Sequence, residues 1–278
     1  FQGRVVLGFG DELGIYELGK LQMLRKSGLR MEEHGITNIV DIKSSGFRLF
    51  VSDIRSSVQI VLYQADSNSL VPVVDDCINR HITRGFVLDH DTIIVGDKFG
   101  TVTVLRNPVS NLEIEQGHGR KGNNLMDNIK FDMLMSFYVG DVIVGLFRGQ
   151  IGVGGEDAVV YGGINGTIGV FSAVKTMKEV NFFRELEKLM RNVLQGMKID
   201  EFGQHDSIDE SRQLMLAERD ILKFRSYYVP KRACIDGDVV EDYFSLDDKT
   251  KSEIAKALER TVPEIEAKIV EMKGRVGY

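Results

Sequence analysis

The stretch Thr92-Ile-Ile-Val-Gly-Asp-Lys-Phe-Gly-Thr-Val-Thr-Val-Leu-Arg106 predicts two short strands joined by a tight polar turn. The residues from Thr92 to Val95 favour β-structure, and the segment from Gly96 to Gly100 interrupts it. After this turn, valine alternates with threonine from residue 101 to residue 104. Such alternation is typical of a strand with one buried face.

The same unit recurs along the chain. Val51-Ser-Asp-Ile-Arg-Ser-Ser-Val58 has the same form, and Asp53 lies 44 residues before Asp97. Tyr161–Val170 is a third copy, and Leu7–Tyr16 is a looser fourth copy. A four-stranded unit that repeats every 40–45 residues or so has the spacing of a β-propeller blade.

The periodicity changes near Val174, where alternation gives way to helical spacing behind the capping box Thr176-Met-Lys-Glu179. Strands are predicted at 4–10, 12–18, 20–26, 37–44, 47–52, 58–64, 69–74, 82–88, 92–95, 101–106, 131–137, 141–148, 158–161 and 167–173. Helices are predicted at 176–195, 210–228, 238–244, and behind capping boxes that begin at Thr250 and Thr261. The loops at 107–128 and 196–209 are polar and irregular.

The pattern predicts a mainly β chain with an α C-terminal part. Residues 1–174 would form three to four blades of a WD40-like β-propeller, and residues 175–278 a small helical domain. Because three or four blades cannot close a ring, the remaining blades must come from upstream of Phe1 or from another chain. The chain also begins at Phe1, inside a predicted strand, so we expect it to be a fragment.

Composition narrows the class of protein. A hydrophobic content of 43% and a charged content of 27% are typical of soluble globular proteins, and 29 glycines indicate many turns. A net charge of −6 without a basic block disfavours a large nucleic-acid surface. Cys77 and Cys234 are far apart, and we expect reduced, buried thiols of an intracellular protein. No apolar run approaches the roughly 20 residues that cross a bilayer, so we expect no membrane partner.

Two clusters of residues have the composition of a ligand-binding or catalytic site. Gly8-Phe-Gly-Asp-Glu-Leu-Gly14 resembles a dinucleotide fingerprint, but no amphipathic helix follows it, which favours a hairpin turn. Asp89-His-Asp91 combines two carboxylates with an imidazole, as a metal or acid–base cluster would. Neighbouring residues of a turn point in different directions, which favours a solvated turn. His34, His81, His118 and His205 are isolated in sequence.

Three further segments have a structural and a binding interpretation. Asp236 and Asp238 precede or begin a predicted helix, so a helix cap is favoured over a cation loop. Phe224-Arg-Ser-Tyr-Tyr228 favours a core or interface cluster over base stacking, because no basic groove accompanies it. Gly117-His-Gly-Arg-Lys-Gly122 is a small basic loop that would add a modest, salt-sensitive phosphate contact.

The segment Phe224-Arg-Ser-Tyr-Tyr-Val-Pro230, followed by Ile235-Asp-Gly-Asp-Val-Val-Glu-Asp-Tyr-Phe244, resembles the C-terminal end of splicing factor 3b subunit 3. That family has the same aromatic run and then an isoleucine-aspartate-glycine-aspartate run. Agreement extends to Leu258–Glu264, to Asp91-Thr92 with Gly96–Gly100, to Val51–Asp53 and to Phe182-Phe183. The wider superfamily of damaged-DNA-binding protein 1 and the large cleavage and polyadenylation specificity factor subunit matches less closely. Both loops, 107–128 and 196–209, depart from the family pattern.

This resemblance implies a non-enzymatic, nuclear scaffold subunit of the splicing factor 3b complex in the U2-type small nuclear ribonucleoprotein. Such a subunit supports pre-mRNA splicing and branch-site engagement through protein–protein contacts. The implied partners are the HEAT-repeat subunit 1 and the small subunit 5 of splicing factor 3b, and the remainder of the chain's own propeller. No catalytic residue, metal or cofactor is implied, RNA contact would be peripheral, and partner-binding residues are not assigned.

Three alternatives remain at this point. The chain could be an adaptor of a ubiquitin-ligase or DNA-damage complex, as the resemblance to damaged-DNA-binding protein 1 allows. It could be a propeller that binds RNA directly through Gly117–Gly122 and the aromatic run. It could also be a propeller enzyme, if Asp89, His90 and Asp91 met other ligands at the mouth of a channel.

Overall fold

A computed structural model describes residues 1–108, 129–152, 154–194 and 233–276. Among these residues the chain is mostly β, with several separate sheets and four short helices, an arrangement consistent with a propeller-like fold. The strands are β1 Val5–Phe9, β2 Glu12–Leu18, β3 Met23–Arg30, β4 Ile39–Ser45, β5 Arg48–Asp53, β6 Ser57–Gln64, β7 Ser69–Asp75, β8 Ile82–Val87, β9 Thr92–Asp97, β10 Thr101–Arg106, β11 Ile129–Lys130, β12 Asp132–Tyr138, β13 Ile143–Gly149, β14 Ala158–Gly163 and β15 Ile168–Phe171. The α-helices are α1 Met177–Leu194, α2 Gly237–Glu241, α3 Asp248–Ala257 and α4 Val262–Val276.

The strands form four sheets that follow the order of the chain. Their orders are β1-β2-β3, β11-β7-β6-β5-β4, β12-β10-β9-β8 and β13-β14-β15. Neighbouring strands joined by short turns are antiparallel, whereas β11 pairs with β7 in parallel. These strands do not form an open parallel sheet flanked by helices, an arrangement that would have contradicted the predicted fold class.

The chain divides into two compact units. The described part of the first unit comprises 1–108, 129–147 and Val160–Gly169. The described part of the second unit comprises Arg148–Val159 without residue 153, 170–194 and 233–276. The predicted domain boundary at residue 174 stays a prediction.

Sheets in the first unit pack against one another through both faces of their middle strands. Leu49 and Val51 of β5 lie in one apolar cluster with residues of β2, such as Leu13 and Ile15. Phe50, between them in sequence, lies in another cluster with Ile93 of β9. Since successive side chains of a strand point to opposite faces, β5 is buried on both sides by its neighbouring sheets.

The first strands of successive sheets are neighbours. The amide of Gly85 on β8 donates to Asp41 Oδ2 on β4 at 3.0 Å. Thr83 Oγ1 of the same strand donates to the carbonyl of Ile143 on β13, and Arg84 Nε donates to the carbonyl of Val144 at 3.2 Å. A row of adjacent first strands is the arrangement that lines the axis of a propeller.

Helices of the second unit enclose an apolar core and are linked by ion pairs. Ile265 and Ile269, one helical turn apart on α4, are both buried in this core. Arg275 of α4 donates to Glu179 of α1 at 2.6 Å and to Glu271 of its own helix at 2.6 Å. The hydrogen bonds that Arg275 donates to these two carboxylates raise its pKa.

Most predicted boundaries are off by one or two residues, the two-residue strand β11 was not predicted, and the starts of β3 and α3 are displaced further. The strand predicted at 20–26 lies at Met23–Arg30, because the amide of Gly19 bonds to the carbonyl of Gln22 and closes a turn there. Helix α3 begins before the predicted capping box at Thr250. Asp247 is its N-cap and accepts a hydrogen bond from the amide of Thr250 at 3.2 Å. The predicted helix at 210–228 lies outside the described residues.

Candidate interaction surface

The turns at one end of the first unit are hydrogen-bonded into a continuous series, here called the turn belt. Its members alternate between tight turns and the connections from one sheet to the next: 10–11, 31–38, 54–57, 76–81, 98–100, 139–142 and 164–167. In each step, a backbone amide of one segment donates to a carbonyl of the next. The pairs are Met31 to Asp11, Ile54 to Asn38, Ser57 to Arg80, Lys98 to His81, Val139 to Gly100 and Ile164 to Val142, with N···O distances of 2.8, 3.1, 3.0, 3.0, 2.7 and 2.9 Å.

Buried carboxylates hold the belt in place. Asp53 ends β5 and is fully buried. Its Oδ1 accepts from the amides of Thr37 and Asn38 at 2.9 and 2.6 Å, and its Oδ2 accepts from the amides of Arg55 and Ser56, both at 2.7 Å. One side chain therefore fixes its own turn and the connection that precedes it.

Asp97 has the equivalent position at the end of β9. Its Oδ1 accepts from the amides of Phe99 and Thr101 at 2.9 and 2.8 Å. Burial raises the pKa of Asp97 even though these amides and the cation of Arg80 oppose the shift. The carboxylate thus orients the turn that carries Phe99 at an electrostatic cost.

In the last sheet the carboxylate comes from a different segment. Gly163 ends β14 as Asp53 and Asp97 end their strands, and so it supplies no side chain. Asp141, from the preceding connection, accepts instead from the amide of Asn165 at 3.0 Å and from its side-chain Nδ2 at 2.9 Å. A Cβ atom on Gly163 would overlap the Asp141 carboxyl group. Asp141 therefore fills the space that the missing aspartate side chain leaves.

A fourth carboxylate links two segments of the belt. The side chain of Asp76 is 1% exposed and lies in an ion pair with Arg80, at 2.8 Å from its Nε. Ser57 Oγ donates to the same carboxylate at 2.6 Å. The turn 54–57 and the connection 76–81 are thus tied by side chains as well as by backbone.

The outer face of the belt combines apolar and basic side chains. Four apolar side chains are 40–65% exposed at turns or connections of successive sheets: Ile54, Ile78, Phe99 and Ile164. Arg55 and Lys98 are exposed beside them. Lys98 Nζ lies 5.0 Å from the centre of the Phe99 ring, and the His81 ring meets its edge at 5.2 Å. We call these six residues (Ile54, Arg55, Ile78, Lys98, Phe99 and Ile164) the arc.

The arc residues were not among the functional residues that the sequence pattern indicated. The available signal was an apolar side chain inside each polar turn that follows a repeated strand. Its significance depends on the sheets being side by side, which the sequence pattern does not state.

Asp89, His90 and Asp91 are placed on a turn but do not converge. Asp89 pairs with Arg106 at 3.4 Å, and His90 Nδ1 lies 3.0 Å from Ser45 Oγ. Asp91 pairs with Arg48, whose side chain is 1% exposed. The side chain of Asp91 is 28% exposed, so it is partly solvated on the turn and also serves as the carboxylate partner of a buried guanidinium.

Other predicted features fall as follows. Gly10 and Asp11 form the predicted hairpin turn between β1 and β2, and Gly10 has a φ of 59°. Cys77 is exposed and Cys234 is partly exposed, which corrects the expectation of buried thiols. Within the described residues, no group of three or more His, Cys, Asp or Glu side chains is arranged to hold a metal ion. Gly117–Gly122, Phe224–Tyr228, His118 and His205 lie outside the described residues.

Asp236 occupies the N-cap position of α2, and Asp238 lies in the first turn of this helix. The carboxylate of Asp236 makes no capping hydrogen bond. It lies 3.3 Å from Arg191 Nη2 and is 1% exposed. Arg191 also pairs with Glu187 on its own helix at 2.8 Å. The carboxylate of Asp236 thus balances a buried cation between helices, and the carbonyl of Asp236 begins the helix.

Comparison with known proteins identifies the chain's relatives. The model of the family described as CPSF A subunit region matches residues 1–245. Pre-mRNA-splicing factor rse1 of Emericella nidulans is 35% identical, and splicing factor 3B subunit 3 of Danio rerio is 32% identical; each match covers 100% of this chain and 22% of the relative. Pre-mRNA-splicing factor prp12 of Schizosaccharomyces pombe is 35% identical over 99% of the chain. The chain spans about a fifth of the length of these relatives, and it belongs to the CPSF A subunit region family.

Proposed function

We propose that this chain is part of a non-enzymatic scaffold subunit of a pre-mRNA splicing factor that acts in the nucleus. The observation that carries the proposal is the match of the whole chain to relatives named as splicing factors. In the detailed form of the proposal, the subunit belongs to the splicing factor 3b complex of the U2-type small nuclear ribonucleoprotein. It would hold the HEAT-repeat subunit 1 and the small subunit 5.

In this proposal, residues 1–174 are the later blades of a propeller and residues 175–278 are a helical C-terminal domain. The remainder of the propeller would be supplied by the longer protein. The adjacent first strands and the turn belt support such an arrangement. A belt fixed by buried carboxylates presents side chains in a constant geometry, so a partner that docks there loses little conformational entropy from the scaffold.

None of the described helices is long and apolar enough to span a bilayer. The Asp89–Asp91 side chains contact separate neighbours, so the described residues offer no support for the alternative of a propeller enzyme. A triple variant, Asp89→Asn, His90→Gln and Asp91→Asn, should be less stable, because the buried Arg48 loses its carboxylate partner. The function of the protein should remain intact.

Affinity purification of the full-length protein tests the proposal. Splicing factor 3b subunits and U2-type RNA should co-purify with it in stoichiometric amounts. Recovery of cullin-type ubiquitin-ligase subunits in place of splicing factors would contradict the proposal and favour the adaptor alternative. Tight, salt-dependent binding of RNA by the isolated protein would favour the direct RNA-binding alternative.

A further inference from the structure

We propose that the arc binds an acidic protein segment that carries apolar side chains. The inference deepens the scaffold function and rests on it, since a scaffold needs a surface of defined chemistry. It concerns the outer face of the turn belt in the first unit, and it specifies which kind of partner this face fits.

The apolar side chains of the arc are exposed at fixed positions. Ile54, Ile78, Phe99 and Ile164 are 40–65% exposed, although each is one of the few apolar residues in a polar turn or connection. Isolated exposed apolar side chains are ordinary, but a series along one hydrogen-bonded belt is typical of an interaction site. Aromatic and aliphatic anchors on a rigid frame are the side chains that contribute most to protein interfaces.

In the segments that carry the arc (54–57, 76–81, 98–100, 139–142 and 164–167) the exposed charge is positive, whereas Glu32 and Glu33 are exposed in the connection 31–38, outside the arc. Arg55 and Lys98 are exposed. The aspartates of the arc's turns and connections (Asp53, Asp76, Asp97 and Asp141) are all buried, and each is bonded to turn amides or to a buried cation. Internal hydrogen bonding therefore consumes the negative charge and leaves the positive charge facing outward. A partner with exposed carboxylates complements this pattern.

A protein segment fits these residues better than RNA. Two cations would contribute only about 1.4 to the slope of log affinity against log salt for a single-stranded nucleic acid. Successive bases stack on several aromatic side chains, yet among the six arc residues only Phe99 is aromatic, so the arc offers a single stacking position. The isoleucines offer no stacking platform, whereas they can pack against leucine or phenylalanine side chains of a peptide.

The test measures fluorescence anisotropy of four labelled probes of equal length with the full-length protein. The probes are a peptide of glutamate with leucine and phenylalanine, the same peptide with lysine for glutamate, a peptide of glutamate with serine, and single-stranded RNA. The acidic apolar peptide should bind most tightly, and added salt should weaken its binding. Arg55→Glu with Lys98→Glu should weaken it roughly tenfold or more, and Phe99→Ser should do the same.

Leu21→Ser is the matched control, because Leu21 is 99% exposed but lies in the β2–β3 turn, outside the belt. It should leave peptide binding unchanged. Hydrogen exchange at the amides of residue 99 and Thr101 shows whether the turn persists in the variants, since both amides bond to Asp97. Equal binding of the acidic apolar peptide by parent and arc variants would overturn the inference, as would tighter binding of the basic peptide, the apolar-free peptide or RNA.

A photo-reactive amino acid at position 99 extends the test to the assembled complex. The cross-linked peptide should be net acidic, should contain apolar residues and should come from a different protein chain. A cross-link to RNA, to a second copy of the protein or to another part of the same polypeptide would overturn the inference. The peptide measurement needs no splicing factor, so its failure is distinguishable from failure of the proposed function, which co-purification tests.

Discussion

The turns of the first unit and the helix ends of the second unit use the same device with different burial. Asp53 accepts from four amides while fully buried. Asp247 accepts from the amide and the hydroxyl of Thr250 at an exposed helix start. Water can hydrate the exposed amide of Thr250, whereas the carboxylate of Asp53 is fully buried and its four hydrogen bonds are partly buried. We therefore expect burial, rather than the type of contact, to determine how much each carboxylate stabilises the fold.

The largest expected effect is that of Asp53→Ala. It would leave four turn amides without a partner in a buried site, which should lower the free energy of unfolding by roughly 3 kcal/mol or more. Urea unfolding of the protein measures the loss, and hydrogen exchange should accelerate at Thr37, Asn38, Arg55 and Ser56. An unchanged urea midpoint would remove the distinction between buried and exposed carboxylates.

Gly163→Ala tests whether the Asp141 carboxyl group fills the space of a missing side chain. The new Cβ would overlap Asp141, and overpacking of this kind costs about 1–3 kcal/mol. Gly162→Ala is the control, because a Cβ there has no neighbour within 4 Å. If both variants unfold at the same urea concentration, the assignment to Asp141 is wrong.

The pH dependence of stability should differ in sign between the two units. Burial raises the pKa of Asp97, so the folded state binds a proton more readily than the unfolded state. As pH rises from the ordinary aspartate pKa of 3.8 through the raised value, the parent should therefore lose stability relative to Asp97→Asn. Urea midpoints of both proteins across this window measure the difference.

For Asp247 the sign is opposite, because hydrogen bonds from Thr250 lower its pKa. Its contribution is present above the unfolded pKa and is lost as pH falls through the folded value. The parent should therefore lose stability relative to Asp247→Asn on acidification. If stability relative to the Asn variant changed with pH in the same direction at Asp97 and Asp247, burial would not be the cause of the difference between them.

The smallest expected effect is that of Asp247→Ala. Solvent can hydrate the freed amide of Thr250, so the urea midpoint should change less than in either Asp53→Ala or Gly163→Ala. Faster hydrogen exchange should be confined to the first turn of α3. A larger loss than that of Asp53→Ala would show that the exposed cap matters more than the buried turn.

Much of the local structure follows from short-range patterns. Alternation and turn residues predicted the strands of the first unit within a few residues, except for the displaced β3 and the unpredicted β11, because this pattern is visible in neighbouring residues. The start of α3 was misplaced, because Asp247 and Thr250 are both residues that cap helices and only the backbone conformation distinguishes them. The arc could not be predicted, because its residues are distant in sequence and adjoin only through the sheets.

The sequence by itself determined the class of fold, the period of the repeat and the family, because periodicity and short motifs are properties of neighbouring residues. Tertiary structure alone decided that Asp141 replaces the aspartate that Gly163 lacks, and that Asp91 serves the buried Arg48. It also decided that the carboxylates of Asp53, Asp76, Asp97 and Asp141 are buried while Arg55 and Lys98 remain exposed. Burial and charge balance are properties of three-dimensional packing, and no local pattern of residues specifies them.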